Sequence, residues 1–381
     1  MMQKKQRILI LIDWFDPAYK AGGPIRSSVN FISHMNQDFE LFVLTGSHDL
    51  GCAEPLPGIV PDIWVDYKAQ AQVMYTSVAS LNGKRLMSII QAIDPDHIYL
   101  NSFFSKKFTL LPLWMKKKGM IRSSIVLAPR GMLKESALAF KSLKKKCFLF
   151  LFRLAGIHRL VKFQATDEQE KKDILKHFKG AAVELAPNLP GPVADQPEKI
   201  IKNRNELSVI FVGRVHPIKN LLYLLSVLKE SAQAVRCTII GMNEDPVYWN
   251  QCERLIAEMP ASITVDYLGD LAHERIIREI SKHHIFALPT QGENFGHAIF
   301  ESLSLGRPVL ISDQTPWLQL ELQKAGWDHP LKKPEAFKAS LETALNWDQV
   351  AFEEWANGSL ELAKKFIKRS DIRINYLKLF N

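Results

Sequence analysis

The chain has 381 residues, 47% of them hydrophobic, and carries 49 Lys and Arg against 40 Asp and Glu, a formal net charge of +9. Such a length favours two domains and excludes a small scaffold held together by disulfides or metal. Its four cysteines, Cys52, Cys147, Cys237 and Cys252, show neither CxxC pairing nor metal-ligand spacing, so they read as ordinary thiols of the reducing cytosol.

The start, MMQKKQRILILID, has a basic lead, but its apolar run ends at Asp13, too early for a signal-peptide core. It reads as a first buried strand. After a loop comes AGGPIRSSVN, where Gly22-Gly23 permits close approach of a ligand to the backbone and Pro24 suits the first position of a helix. Further short β-rich runs (FELFVLT, HIYL, SIVLA, VKFQAT, AAVELA) alternate with amphipathic segments, the pattern of a parallel sheet with crossover helices. Asp94-Pro95-Asp96 reads as a turn before HIYL rather than a metal motif.

Charge is uneven along the chain. Asn101 to Gly180 holds 19 Lys and Arg against 5 Asp and Glu, or +14, which leaves 30 against 35, or −5, elsewhere. A basic surface of this kind suits nucleic acid, anionic lipid or a pyrophosphate-linked substrate, and is equally well explained as a solvated lysine-rich face. Within it, KSLKKKCFLFLFRLAGIHRL, from Lys141, joins a lysine cluster to an apolar face. Two accounts fit that run equally: a helix lying on a membrane surface, or a buried crossover helix with a basic outer edge. Its apolar part, CFLFLFRLAGI from Cys147, is broken by Arg153 and falls far short of the ~20 residues that a bilayer-spanning helix needs.

From Leu189 to Glu206 Pro, Gly and charge replace the alternation, as in a linker. A second alternating set follows: LSVIFVG, CTIIG, ITVDYLG, HIFALP and PVLIS. The expected organisation is an N-terminal domain over 1–190, a linker over 191–206, a second domain over 207–365, and a C-terminal helix over 366–381, for which return to the first domain and packing on the second are both open. The segment from Ala351 reads as a long helical pattern interrupted near Asn357-Gly358. Both domains are expected to be doubly wound and Rossmann-like, facing a central cleft, because open α/β sheets bind ligands beyond the carboxyl ends of their strands.

Two loops carry the chemistry. In FVGRVHPIKN a strand end and tight turn present Arg214 and Lys219, a planar fork and a point charge suited to a diphosphate leaving group. In TQGENFGHAIFESLSLGRPVLIS, Asn294 reads as the N-cap of a helix running through Leu305. The first-turn N–H groups of Phe295, Gly296 and His297 would then form an anion site, with Gly296 offering no side chain in the way. Glu301, about 6 Å further along the axis and on the same face as His297, would meet the adjoining ribose. Glu293, before the cap, would face the transferable group. No Walker loop and no G-x-G-x-x-G after the first strand is present. His283-His284 lacks carboxylates at metal-ligand spacing and reads as structural, and Trp317 and Trp327 read as packing residues.

Gly213-Arg214 with Lys219, Glu293-Asn294-Phe295-Gly296 with Glu301, and the motif order from Ala21-Gly22-Gly23-Pro24 to Gly306-Arg307-Pro308-Val309 resemble retaining glycosyltransferases of family 4 with the GT-B fold, of the bacterial surface-polysaccharide type. The resemblance implies that Arg214 and Lys219 hold the donor diphosphate, Glu301 the ribose, and Glu293 with the following N–H groups the sugar and phosphate. It also implies that Gly241 and Leu271 border the base, and that transfer needs no metal or other cofactor. Where many members carry a histidine near the sugar, this chain has Arg130 followed by Gly131, whose role would be electrostatic because arginine stays charged.

The leading expectation is a metal-independent hexosyltransferase that takes a nucleotide-sugar donor and a lipid-linked or oligosaccharide acceptor. It would be cytoplasmic and peripheral on the inner face of the cell membrane, bound through the basic first domain. The alternatives are a nucleotide-sugar epimerase on a similar fold and a basic nucleic-acid binder. The binder leaves Glu293 and Glu301 unexplained, so nucleic acid is not an expected partner. A glycosidase is poorer still, since those acids flank a phosphate site rather than a sugar ring.

Overall fold

The computed structural model describes residues 5–134, 138, 142–231, 234–368 and 370–381. The lead over residues 1–4 and Lys141, the first residue of the amphipathic run, lie outside them. The chain divides into two compact units, Met1–Leu189 with Ser370–Asn381, and Pro190–Arg369.

In the first unit β1 (Gln6–Leu11), β2 (Phe39–Gly46), β3 (Trp64–Tyr67), β4 (Ala71–Thr76), β5 (His97–Leu100), β6 (Ser124–Leu127), β7 (Lys162–Ala165) and β8 (Ala182–Leu185) form one sheet. Its order is β3-β4-β2-β1-β5-β6-β7-β8, and only the β3–β4 pair is antiparallel. Ile8 to Leu11 are fully covered, which explains why the first strand is a continuous apolar run: a parallel sheet is buried on both faces. The last helix, Ser370–Leu379, packs within this unit, where Tyr376 Oη accepts from Gln164 Nε2 at 2.9 Å and Arg373 pairs with Asp38 at 2.7 Å.

In the second unit β9 (Glu206–Val212), β10 (Ala234–Ile240), β11 (Ile263–Tyr267), β12 (Ile285–Leu288), β13 (Val309–Ser312) and β14 (Gly326–His329) form an all-parallel sheet ordered β11-β10-β9-β12-β13-β14. The order reverses between β9 and β12, the place where a doubly wound sheet opens a crevice at its carboxyl edge. Segment 190–205 belongs to this unit. Lys202 Nζ donates to Trp347 O at 3.0 Å, and the buried Arg307 guanidinium donates to the carbonyls of Glu198 and Ser281, each at 2.6 Å.

All the β-rich runs expected from sequence are strands, and β3, β4 and β14 are additional. Helix Gln349–Ile367 runs unbroken through Asn357-Gly358, contrary to the expected interruption. A Cβ at residue 358 would lie 2.4 Å from Gln323 O and 2.5 Å from Lys324 O, so the glycine is there to let the helix approach a neighbouring turn. His283 and His284 are buried and paired with backbone and hydroxyl groups, and Trp317 and Trp327 are core residues, as their sequence contexts suggest.

Candidate functional site: the carboxyl edge of the second sheet

After β9 the chain turns through Gly213 and Arg214 into a short 3-10 turn, Pro217–Lys219, before helix Leu221–Lys229. His216 caps that turn, its Nδ1 accepting from Ile218 N–H at 3.2 Å, and Asn220 ends it with φ 59°. The turn, invisible in sequence, separates Lys219 from the longer helix and aims it across the edge. After β12 the chain is tied to the same turn: Gln291 N–H and Thr290 Oγ1 both donate to Ile218 O, at 2.7 and 3.0 Å. Glu293 N–H donates to Gln314 O at 3.0 Å, which fastens the loop to the segment beyond β13.

These ties bring Lys219 and Glu293 together as an ion pair between Nζ and Oε1, with side chains only 18% and 11% exposed. They come from the two strands that flank the reversal of strand order. Arg214 turns elsewhere, donating to Glu244 Oε2 at 2.5 Å on a more open surface. Gly213 and Gly241 stand back to back: a Cβ on Gly241, whose φ is 145°, would fall 2.0 Å from Gly213 O. Gly241 N–H donates to Gly269 O at 2.8 Å, and Tyr267 Oη donates to Gly241 O at 2.9 Å, so the loops after β9, β10 and β11 form a single rim. Leu271, just beyond that rim, is partly buried against the core. Asn243, on the β10 loop, has its Oδ1 buried without a protein partner.

The helix after β12 begins later than Asn294. Its N-cap is Gly296, at φ 77°, and it spans His297–Ser304. The aromatic ring of Phe295 explains the shift: it is buried against Trp317, whose Nε1 donates to Phe295 O at 2.6 Å, and this holds Phe295 in the loop. The first-turn amides are thus those of His297, Ala298 and Ile299, two residues beyond the expected set, and the amides of a first helical turn have no acceptor inside the helix. Glu301 lies about one turn further along, its Oε1 accepting from His273 Nε2 at 2.8 Å. His273 opens helix His273–Ser281.

The first-unit candidates are described by themselves. Gly22 is the N-cap of helix Gly23–Met35 at φ 64°, with no atom within 4 Å of where a Cβ would stand, and Pro24 follows at the second helical position. Arg130, at φ 54°, donates from Nε to Asn101 Oδ1 at 2.7 Å, from Nη2 to Tyr99 Oη at 2.5 Å, and from Nη1 to Asn188 Oδ1. Burial works to lower its pKa, but Tyr99, Tyr376 and Glu170 outweigh that and hold it above the ordinary arginine value. Glu170, itself buried, accepts from Gly131 N–H at 2.6 Å and fixes the turn. Between the loops after β1 and β5, where this sheet reverses order, a cavity of about 570 Å³ is lined by Asp13, Trp14, Phe104, Ser105, Lys106 and Lys145 among others. Burial raises the Asp13 pKa, while Ser105 Oγ donates to it at 2.7 Å.

Sequence singled out Lys219, Glu293 and Glu301 but not Glu244, His273, Asn101 or Asn188, which touch the candidates. Each lies about 30 or more residues from its partner, so no local spacing signals it. Among the described residues no three His, Cys, Asp or Glu side chains converge as a metal site requires.

Residues 193–368 match the family model described as glycosyl transferases group 1. A sulfoquinovosyl transferase of Arabidopsis thaliana is 32% identical over 104 residues, which is 27% of this chain and 19% of the relative's own length. Among solved structures, sucrose-phosphate synthase from Thermosynechococcus elongatus superposes with a TM-score of 0.73 at 16% identity, covering 99% of this chain and 98% of the other. HepE of Anabaena, in complex with UDP and glucose, gives 0.68 at 15% identity with 98% of both chains covered. WaaG, a glycosyltransferase involved in lipopolysaccharide biosynthesis, gives 0.63 at 14% identity with the same coverage. The chain therefore has the α/β fold of GT-B glycosyltransferases, two Rossmann-like sheets of mainly parallel strands, and its second unit matches glycosyl transferases group 1 over almost its whole length.

Proposed function

We propose that the protein is a retaining glycosyltransferase of family 4 that moves a hexosyl group from a nucleoside-diphosphate sugar to a glycan hydroxyl. The observation that carries this reading is the Lys219–Glu293 pair at the reversal point of the second sheet, beside a glycine-capped helix start with Glu301 one turn on. A structural neighbour solved in complex with UDP and glucose supports a nucleotide-sugar donor.

The diphosphate lies on the first-turn amides of helix His297–Ser304, and Lys219 leaves Glu293 in part to meet it. Arg214 closes the same charge from the β9 loop. In the first unit, taken by itself, Gly22 and Gly23 offer a backbone edge that a phosphate can approach. As the bond from anomeric carbon to phosphate oxygen breaks, these cations and dipoles stabilise the departing diphosphate. Glu293, freed to accept, orients sugar hydroxyls, and Glu301 takes the ribose with His273 steadying its carboxylate. Asn294 and Phe295 shape the loop around the sugar, and Gly241 and Leu271 border the base. Arg130, charged throughout, contributes a fixed field and no proton. The acceptor hydroxyl attacks from the face the leaving group vacates and passes its proton to the departing diphosphate oxygen, so atoms balance and configuration is kept.

The acceptor is lipid-linked, as in surface-polysaccharide assembly at the inner face of the cell membrane, and its polar end enters the cavity beside Asp13 and Lys106. Its basic surroundings, +14 over Asn101 to Gly180, support an anionic acceptor. Transfer is expected to persist in excess EDTA, and loss of activity restored by a divalent ion would refute the metal-independent step.

Titration of the full chain with UDP-, GDP- and ADP-sugars tests the reading. One donor class is expected to bind, Lys219→Ala to weaken it at least about tenfold, and Glu301→Gln to weaken the nucleotide but not inorganic pyrophosphate. Binding of none, full activity in both variants, or conversion of the donor sugar without acceptor would contradict it.

A further inference from the structure

Helix Ser142–Leu154 carries apolar residues on two opposite faces. Leu149 and Phe152 are buried in the first unit, where Phe152 packs 5.2 Å from Phe103 and 5.3 Å from Phe178 between ring centroids. Leu143, Cys147, Phe150, Leu151 and Leu154 follow the spacing i, i+4, i+7, i+8, i+11 and so share the face turned the other way. Leu143 is 82% exposed and Leu154 74%, Phe150 and Leu151 are each more than half exposed, and Cys147 is exposed between them. A contiguous apolar stripe on solvent is uncommon in a soluble domain and marks an interaction surface.

Cations border the stripe on both sides. At about 100° per residue Lys144 stands along one edge and Lys146 with Arg153 along the other, all exposed. The Arg153 guanidinium lies 6.0 Å from the centre of the Phe150 ring. Of the two accounts of this run drawn from sequence, the crossover helix holds for the inner face, while the outer face is exposed apolar surface.

We propose that this outer face docks on an anionic lipid bilayer, the leucines and Phe150 entering the boundary of headgroups and acyl chains while Lys144, Lys146 and Arg153 meet lipid phosphates. Charge selects a bilayer over a second copy of the chain. A two-fold contact through this stripe would set the three cations against their equals, with no acidic residue of the helix to compensate. The proposal names the surface behind the membrane-side reading above, and it stands on the exposure of this helix rather than on glycosyl transfer.

Flotation of the full chain with vesicles tests it. The protein is expected to float with phosphatidylcholine–phosphatidylglycerol vesicles at low salt, to be released at high salt, and not to float with phosphatidylcholine alone. Two variants, L143S/L151S/L154S and K144Q/K146Q/R153Q, are each expected to lose at least about tenfold in vesicle affinity with unchanged thermal midpoint. Vesicles are also expected to shield Cys147 from a polar maleimide, followed by peptide mapping because Cys52 is partly accessible while Cys237 and Cys252 are buried. Absent flotation, equal binding to neutral vesicles, unaffected variants or unshielded Cys147 would each overturn the proposal. So would a dimer that the leucine variant disperses, which would make a second copy the occupant. Donor binding, measured on the same protein without vesicles, separates failure here from failure of the enzyme reading.

Discussion

Lys219 and Glu293 show what a single side chain does for its partner here. Each is largely withdrawn from water and answered by the other, so removing one leaves a charge in a place chosen for a pair. Lys219→Ala should therefore cost about 1–3 kcal/mol of stability as well as donor affinity. Adding Glu293→Gln should restore part of that stability and none of the binding; additive losses in the double variant, measured by denaturant unfolding, would mean the pair is not coupled. The glycines make a second test. Gly241→Ala should be severely destabilising because its Cβ would meet Gly213 O at 2.0 Å, whereas Gly22→Ala, with open space around it, should suffer only backbone strain of about 1–3 kcal/mol. Equal thermal shifts in the two would contradict that distinction. At this scale sequence is legible where a residue type has a chemical reason to stand after a strand, as with Lys219, Glu293 and Glu301. It is silent on Glu244 and His273, whose relevance comes only from tertiary contact.

Most strands buried on both faces were read well, although β4 (AQVMYT), buried between β3 and β2, was missed. Runs such as RILILID and LSVIFVG announce themselves, while β3 (WVDY) and β14 (GWDH) are short, carry charge and lie at sheet edges, where one flank needs no apolar cover. Helix boundaries failed for an identifiable reason in each case. Phe295 is held by Trp317 and delays the helix to Gly296, and Gly358 serves a close approach rather than a break. A buried histidine joins the elements of the second unit: His284 Nδ1 accepts from Ser208 N–H at 2.9 Å and its Nε2 donates to Ile201 O at 2.9 Å. Burial lowers its pKa to about 4. The folded chain thus keeps His284 neutral while the unfolded chain takes a proton below its ordinary value near 6.5. Stability is intact above that pH and falls as pH drops toward 4, by about 3 kcal/mol in all, with His283 acting in the same direction. Urea unfolding from pH 7 to 4 should show that slope, reduced in His284→Gln; identical slopes would refute the assignment.

For the molecule as a whole, the alternation of strands and helices foretold two Rossmann-like sheets, because that pattern has few other ways to bury its strands. What it does not announce is strand order, and strand order is what places the site: β9 and β12 are far apart in the chain yet adjacent in the sheet, and the loops that follow them bring Lys219 to Glu293. On the proposed reading, the reversal of order at that point would supply the crevice, the glycine-capped helix the amides, and the pair the charge. A crystal structure of the full chain with a bound nucleoside diphosphate measures this directly. The account predicts its phosphates within hydrogen-bond reach of Lys219 Nζ and of the amides that begin helix His297–Ser304, and phosphates bound anywhere else would contradict it.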